Sequence, residues 1–435
     1  MRNDTVPSVT RHHAVLDNGL KVVGVELPHL HTCSLVMYAR VGSRYESAAD
    51  NGLSHFLEHM LFRGTAEHPD AHRINGAIEE LGGTLYAETG RDYSLYQLSL
   101  SPEVVGEGVA LLGEIFRAPA FEGIEVERRI ILEEILEDLD EDGREINIDD
   151  LTRGLCFAGH PLGQRITGPF ANVERFTVED ARRHFAHGYG ARNMVLAVSG
   201  AAGHRAALDQ IHRAFAALPP GDRLDFAAPP EPTPGAPARF AHVDNAGSQT
   251  SVQLVFRAVS EVAPDFAVLQ MLARVLDDGM STRLHHRVCD ELGLAYYVGG
   301  SIESFVDSGL YEVDGSCAHE SVPALVRESL AVLARLRDQP PSAAELDKAQ
   351  RRYRWDLLAS LDDPDAMAGY WAGAELFFPA LTFAEKLARI EAVTPLQISE
   401  LAQRIFRPER LVAAAIGQLD ERLRAEVERV VATFL

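Results

Sequence analysis

The segment Asn51-Gly-Leu-Ser-His55-Phe-Leu-Glu58-His59-Met-Leu-Phe-Arg-Gly64-Thr65 sets two histidines four residues apart, with a glutamate directly before the second. On a helix, His55 and His59 lie one turn apart on the same face, near enough for both rings to hold one ion. Glu58 falls in the same sector, roughly 100° wide, where its carboxylate can sit beside a metal-bound water. Two neutral imidazoles suit zinc, and a carboxylate suits the removal of a proton from water. The pattern is HxxEH, the HExxH triangle in reverse chain order. Two ordinary surface histidines on an amphipathic helix are a poor alternative. Phe56, Leu57, Met60, Leu61 and Phe62 make this helix apolar nearly all round. A buried helix carrying three polar residues on one sector needs a partner for them, and a metal supplies it.

A catalytic zinc takes three protein ligands and keeps one position open, so a carboxylate or histidine is required from another element. Residues 124–139, IEVERRIILEEILEDL, form an acidic helix with an apolar stripe at Ile124, Ile131, Ile135 and Leu139. Glu127 and Glu134 are seven apart and stack on one side of it, whereas Glu133 and Glu137 point toward solvent. Glu134 is therefore the expected third ligand, with Glu127 behind it as a group that orients a ligand. The other histidine pairs, His12-His13, His68 with His72, His184 with His187, and His285-His286, lack a helical spacing or a nearby carboxylate pattern.

Elements to position these residues follow from the rest of the 435-residue chain. Seven of the 22 prolines fall between Pro219 and Pro237, a density that excludes helix or central strand and marks a linker over 219–238. TVEDARRHFAHGYGARNMVLAVSG, from Thr177, and TPLQISELAQRIFRPERLVAAAIG, from Thr394, repeat the order capping Thr, amphipathic helix, loop with Arg, apolar strand, Gly. They lie 217 residues apart, half the chain. The expected organisation is a zinc-binding catalytic domain over 1–218 and a homologous domain over 239–435 that serves as substrate clamp and dimer half. Hairpin signals around Asn18-Gly19 and within residues 83–101 are segregated from helical runs, which makes the fold class α+β, with mainly antiparallel sheets packed by helices.

Composition narrows the partners. Apolar residues are 46% and charged residues 24%, and 41 basic against 64 acidic side chains give a formal charge of −23. No basic excess exists to neutralise phosphates, so neither nucleic acid nor an anionic membrane is an expected partner. No apolar run approaches the roughly 18 residues of a membrane span. MRNDTVPSVTRHH has no apolar signal region, and the four cysteines form no CxxC pair, so a bacterial cytoplasmic location is expected.

The sequence resembles the pitrilysin-like zinc metallopeptidases, the inverzincins, and especially the branch of mitochondrial processing peptidase and its bacterial relatives. LDNGLKVV, GLSHFLEHMLFRGT, ERRIILEEI, HPLGQRITG and DDGMSTRLHHRVCDELGLAYYV match in order and spacing, across nearly the whole chain. The resemblance implies His55, His59 and Glu134 as ligands of one Zn2+ per chain, Glu58 as the base acting on a zinc-bound water, and Glu127 as their support. It implies an endopeptidase whose two half-shells enclose oligopeptides or unfolded segments in a chamber. Substrate would add as a strand along Thr84, Leu85, Tyr86 and Ala87, where Tyr86 replaces the family's usual Asn.

One position departs. The family's second half supplies an Arg and a Tyr, seven apart, that hold substrate; here Tyr296 matches, but Cys289 stands at the Arg position. A thiol cannot donate a guanidinium's charged hydrogen bonds. The resemblance thus implies a heterodimer with a paralogous subunit carrying the Arg–Tyr pair, a homodimer being the runner-up. The rival functional expectation is a non-catalytic assembly subunit of a peptidase-like complex. Such subunits lose zinc ligands, whereas this chain keeps all three and the base.

Overall fold

The computed structural model describes residues 9–434; the signal-peptide reading of the first eight residues lies outside them. The first compact unit comprises the residues up to Ile135, Gln164–Phe226 and Asp356–Phe383. Its six-stranded sheet contains β1 (Thr10–Val15), β2 (Lys21–Glu26), β3 (Cys33–Ala39), β4 (Thr84–Thr89), β5 (Ser94–Leu100) and β6 (Met194–Gly200), in the order β1-β2-β6-β3-β5-β4. Every neighbouring pair is antiparallel except β2 and β6. β1 and β2 form the hairpin expected at Asn18-Gly19, with Gly19 at φ +95° and Val15 opposite Lys21. Its helices include α1 (Leu53–Leu61), α2 (Ala71–Glu80), α3 (Val105–Arg117) and α4 (Ile124–Glu137).

The second unit comprises Leu136–Gly163, Ala227–Trp355 and the residues from Ala384 onward. Its sheet contains β7 (Arg239–Val243), β8 (Thr250–Ala258), β9 (Val298–Ser304), β10 (Gly309–Cys317) and β11 (Leu411–Ile416), in the order β7-β11-β8-β10-β9. β11 lies parallel to β7 and antiparallel to β8, as β6 lies parallel to β2 and antiparallel to β3. The repeat in the sequence is therefore a repeat of structure. Thr177 and Thr394 each close a capping box, with Asp180 and Gln397 respectively, and each helix leads into a fully buried strand. Gly200 (φ +122°) and Gly417 (φ +147°) end those strands in equivalent left-handed turns.

The compact units are not simply the two halves of the sequence. The helix Pro364–Phe377 packs on β3 and β6, and α5 (Ile148–Cys156) packs on β8 and β11. Strands as apolar as MVLAVSG and LVAAAI are buried on both faces and need a second cover. In the first unit, Trp371, Met367, Ala368 and Ala372 supply it, packed with Val25, Val36 and Ala197. Residues 219–238 contain neither helix nor strand, and the division between the units falls between Phe226 and Ala227. Among the described residues no helix is long and apolar enough to cross a membrane.

Candidate metal centre

The helix that carries HxxEH begins without a capping side chain of its own. Gly52 occupies the capping position at φ +101°, and a Cβ there would stand 2.6 Å from the Thr167 carbonyl oxygen. The missing cap comes from Glu46, whose buried carboxylate accepts from the backbone N–H groups of Gly52 (2.9 Å) and Ser54 (2.6 Å) and from Asn51 Nδ2 (3.0 Å). A carboxylate there satisfies orphan donors and meets the positive end of the helix dipole. Phe56, Leu57, Met60 and Leu61 are buried, as the apolar pattern requires. Ser54 Oγ lies 2.9 Å from His184 Nε2, which ties α1 to the helix Val178–Gly188.

On this seated helix the two imidazoles stand with ring centroids 4.8 Å apart. α4 turns Ile131 and Ile135 into the core and leaves Glu133 and Glu137 exposed. Glu134 consequently faces α1: Oε1 is 3.4 Å from His55 Nε2 and Oε2 is 3.8 Å from His59 Nε2. One ligand atom from each of His55, His59 and Glu134 lies within 4.8 Å of the others. His59 Nδ1–H donates to Glu127 Oε2 at 2.9 Å, and Glu127 Oε1 is 3.1 Å from Arg63 Nη1. That bond fixes the tautomer and leaves Nε2 as the electron-pair donor.

Burial, reinforced by the neighbouring His59, lowers the His55 pKa to about 3, so its ring is neutral at ordinary pH. For His59, burial works in the opposite direction to Glu127, Glu134 and Glu58, whose negative charges win and raise it. Three anionic groups around one ring favour a cation, whether a proton or a metal that displaces it. His55 Nδ1 is buried without a hydrogen-bond partner. Two imidazole nitrogens and a carboxylate oxygen, converging on one point, are a donor set that fits zinc.

Glu58 stands on the same helix, half-buried, and its Oε2 accepts from Thr89 Oγ1 at 2.5 Å. Burial raises its pKa, with the Thr89 hydrogen bond opposing. Thr89 ends β4, the edge strand of the first sheet, so the strand containing Thr84, Leu85, Tyr86 and Ala87 runs up to the base. Tyr86 is 53% exposed and its hydroxyl donates to Glu88.

Cys289 and Tyr296 belong to the second unit. Cys289 is half-buried in a π-helical turn, His286–Glu291, and Tyr296 is 96% exposed. The two arginines near Cys289 in sequence are both engaged: Arg283 with Glu345 through two bonds (2.7 and 3.1 Å), Arg287 with Glu328 and Glu291. Sequence reasoning missed Glu46, Arg63 and Thr89. Arg63 carried a signal, since it follows His59 by one turn; Glu46 and Thr89 carried none.

Residues 21–169 match the family model described as "Insulinase (Peptidase family M16)", and residues 175–353 match "Peptidase M16 inactive domain". A Rickettsia bellii protein named "Uncharacterized zinc protease" is 29% identical over 79% of this chain and 82% of its own length. A Streptomyces coelicolor protein named as a zinc protease is 28% identical over 97% of this chain and 93% of its own length. "Probable mitochondrial-processing peptidase subunit beta, mitochondrial" of Arabidopsis thaliana is 27% identical over 93% of this chain and 78% of that protein. Among solved structures, a protease from Helicobacter pylori superposes with a TM-score of 0.85 at 20% identity, over 94% of this chain and 100% of that one. The periplasmic protease PqqL of Escherichia coli superposes with a TM-score of 0.77 at 20% identity, over 98% of this chain but 50% of its own.

Proposed function

This chain belongs to the M16 family of peptidases, and on that footing we propose that it is a zinc-dependent endopeptidase acting on oligopeptides or unfolded peptide segments. The observation that carries the reading is the convergence of His55, His59 and Glu134 ligand atoms within 4.8 Å, with Glu58 on the same helix. His55 Nε2, His59 Nε2 and a Glu134 oxygen would hold the ion, one per chain. A zinc ion held there would supply Lewis-acid chemistry for the scissile carbonyl and for an attacking water. Glu58 would accept a proton from the attacking water and return it to the leaving amine. Thr89, by holding one oxygen of Glu58, fixes the carboxylate's orientation. Glu127 holds the His59 ring, and Arg63 holds Glu127. The unpaired edge of β4 offers main-chain hydrogen bonds to an extended peptide, which would lie along Thr84, Leu85, Tyr86 and Ala87.

For the assembly, the proposal is a heterodimer with a paralogous chain of similar length that carries an Arg–Tyr pair, the homodimer remaining the alternative. Two features support it: Cys289 at the arginine position, and the prior engagement of Arg283 and Arg287 in ion pairs. The test of activity is cleavage of a quenched fluorescent peptide by the purified chain. Cleavage should stop with a chelator, return with zinc, and be absent from Glu58→Gln. Cleavage that survives Glu58→Gln would refute the proposed role of Glu58.

A further inference from the structure

Three neighbouring strands of the first sheet each bring a cation to the same end. Lys21 begins β2, Arg192 lies two residues before β6, and Arg40 directly follows β3; Lys21 is opposite Val195 and Ala39 opposite Met194. Buried Asn193 ties the positions together. Its Nδ2 donates to the Arg40 carbonyl (3.0 Å), and its Oδ1 accepts from the Leu224 N–H (3.0 Å), which sets Arg223 beside them. Gly19 leaves room for the Arg192 stem, since a Cβ there would come 2.6 Å from Arg192 Cγ. Lys21, Arg40, Arg192 and Arg223 line one small cavity of about 20 Å³, which suits a compact ion rather than an extended ligand.

The charges around this cavity do not balance, in a chain whose formal charge is −23. Glu375 is the carboxylate lining it, already shared by Lys21 (3.8 Å) and His13 (3.4 Å). Lys21 Nζ and Arg223 Nη2 also donate to the carbonyls of Glu375 (2.8 Å) and Leu376 (2.9 Å), at the negative end of the helix Pro364–Phe377. Arg40 and Arg192 make no such bonds to that helix. Among the described residues Arg40, Arg192 and Arg223 have no ion pair. Arg40 is only 7% exposed; its Nε donates to the Tyr45 hydroxyl (3.1 Å), and its guanidinium lies 4.8 Å from the centre of the Phe226 ring. Burial, and next the charge of Arg40, lowers the Arg223 pKa, with Asp225 opposing. A guanidinium buried without an anion is costly, and its planar fork matches the oxygens of a phosphate or carboxylate.

We infer that this cavity binds one small oxyanion, the group shared by phosphate, sulfate and a carboxylate, through Arg40, Arg192 and Arg223. The ion supplies the counter-charge that the buried guanidinium lacks. It also joins residues at the ends of β3 and β6 to Arg223, which holds the helix Pro364–Phe377, so its binding tightens that helix on the sheet it covers. The site is independent of zinc and of the peptidase reading.

Equilibrium dialysis of the full-length, zinc-loaded chain against radiolabelled inorganic phosphate, with sodium chloride holding the ionic strength constant, tests this. One phosphate should bind per chain, and phosphate should raise the Tm above its value in chloride alone. Arg40→Gln and Arg192→Gln should each weaken binding by at least about tenfold and remove the Tm shift. Arg192 is exposed, so Arg192→Gln keeps the test decisive even where Arg40→Gln fails to fold. Arg182→Gln removes the same charge from an exposed arginine of the helix Val178–Gly188 and should leave binding unchanged. Competition by sulfate alone points to a tetrahedral oxyanion, and competition by acetate as well points to carboxylates; either supports the site. No phosphate bound, binding that survives Arg192→Gln (as binding at the zinc centre would), or an equal loss in Arg182→Gln and Arg192→Gln would overturn the inference.

Discussion

His55, His59 and Glu58 were legible because one helical turn fixes their relation whatever surrounds them, and Glu134 because its seven-residue spacing from Glu127 separates a buried side from a solvent side. What lies behind these residues was not legible. Glu46 reaches Gly52 and Ser54 across a loop, and Thr89 reaches Glu58 on α1 from strand β4, contacts that only tertiary structure creates. These supports carry consequences of their own. Glu127→Gln keeps a side chain of the same size but weakens the charged hold on His59 and on Arg63. Zinc affinity should fall by about 10- to 100-fold, measured by competition with a coloured chelator. Glu58→Gln should lower the turnover rate by at least about 100-fold, measured on the same quenched peptide. Glu133→Gln, on the exposed side of α4, should alter neither.

At the scale of elements, the hairpins and the duplicated helix–strand unit were readable from turn chemistry and from Thr177 and Thr394, whose capping boxes formed as the sequence suggests. The partner of each apolar strand was not readable. Nothing in PDAMAGYWAGAELF says which sheet it covers; its small residues allow close approach to either. Because that helix covers β3 and β6, Trp371→Ala should destabilise the first unit by about 3–5 kcal/mol, although Trp371 lies in the second half of the sequence. Hydrogen exchange should show β3 and β6 losing protection before β8 and β11. A second consequence concerns acid. Burial, joined by His187, lowers the His184 pKa to about 4 against an ordinary 6.5, so the folded state binds this proton less readily than the unfolded chain. The stability it contributes is complete above pH 6.5 and is lost as pH falls from there through about 4, by up to about 3 kcal/mol. Denaturant midpoints of the wild type should drop through that window more steeply than those of His184→Gln.

For the whole molecule, family membership and the metal-ligand geometry bear on what the chain does, while the departure at Cys289 bears on what it does it with. If the working enzyme is a heterodimer, the purified chain alone should cut peptides weakly, gain activity on addition of a paralogous subunit bearing an Arg–Tyr pair, and gain part of it from Cys289→Arg. Full activity from the chain alone, unchanged by any partner, would leave the homodimer as the working form. The claim on which everything else depends is narrower: His55, His59 and Glu134 bind one zinc ion, and Glu58 is the base beside it. Metal analysis of three purified proteins tests it most directly. Wild type and Glu58→Gln should each hold one zinc per chain, and Glu134→Gln should hold little or none, because a neutral amide is a poor ligand for zinc. An empty Glu58→Gln beside a fully loaded Glu134→Gln would contradict the assignment.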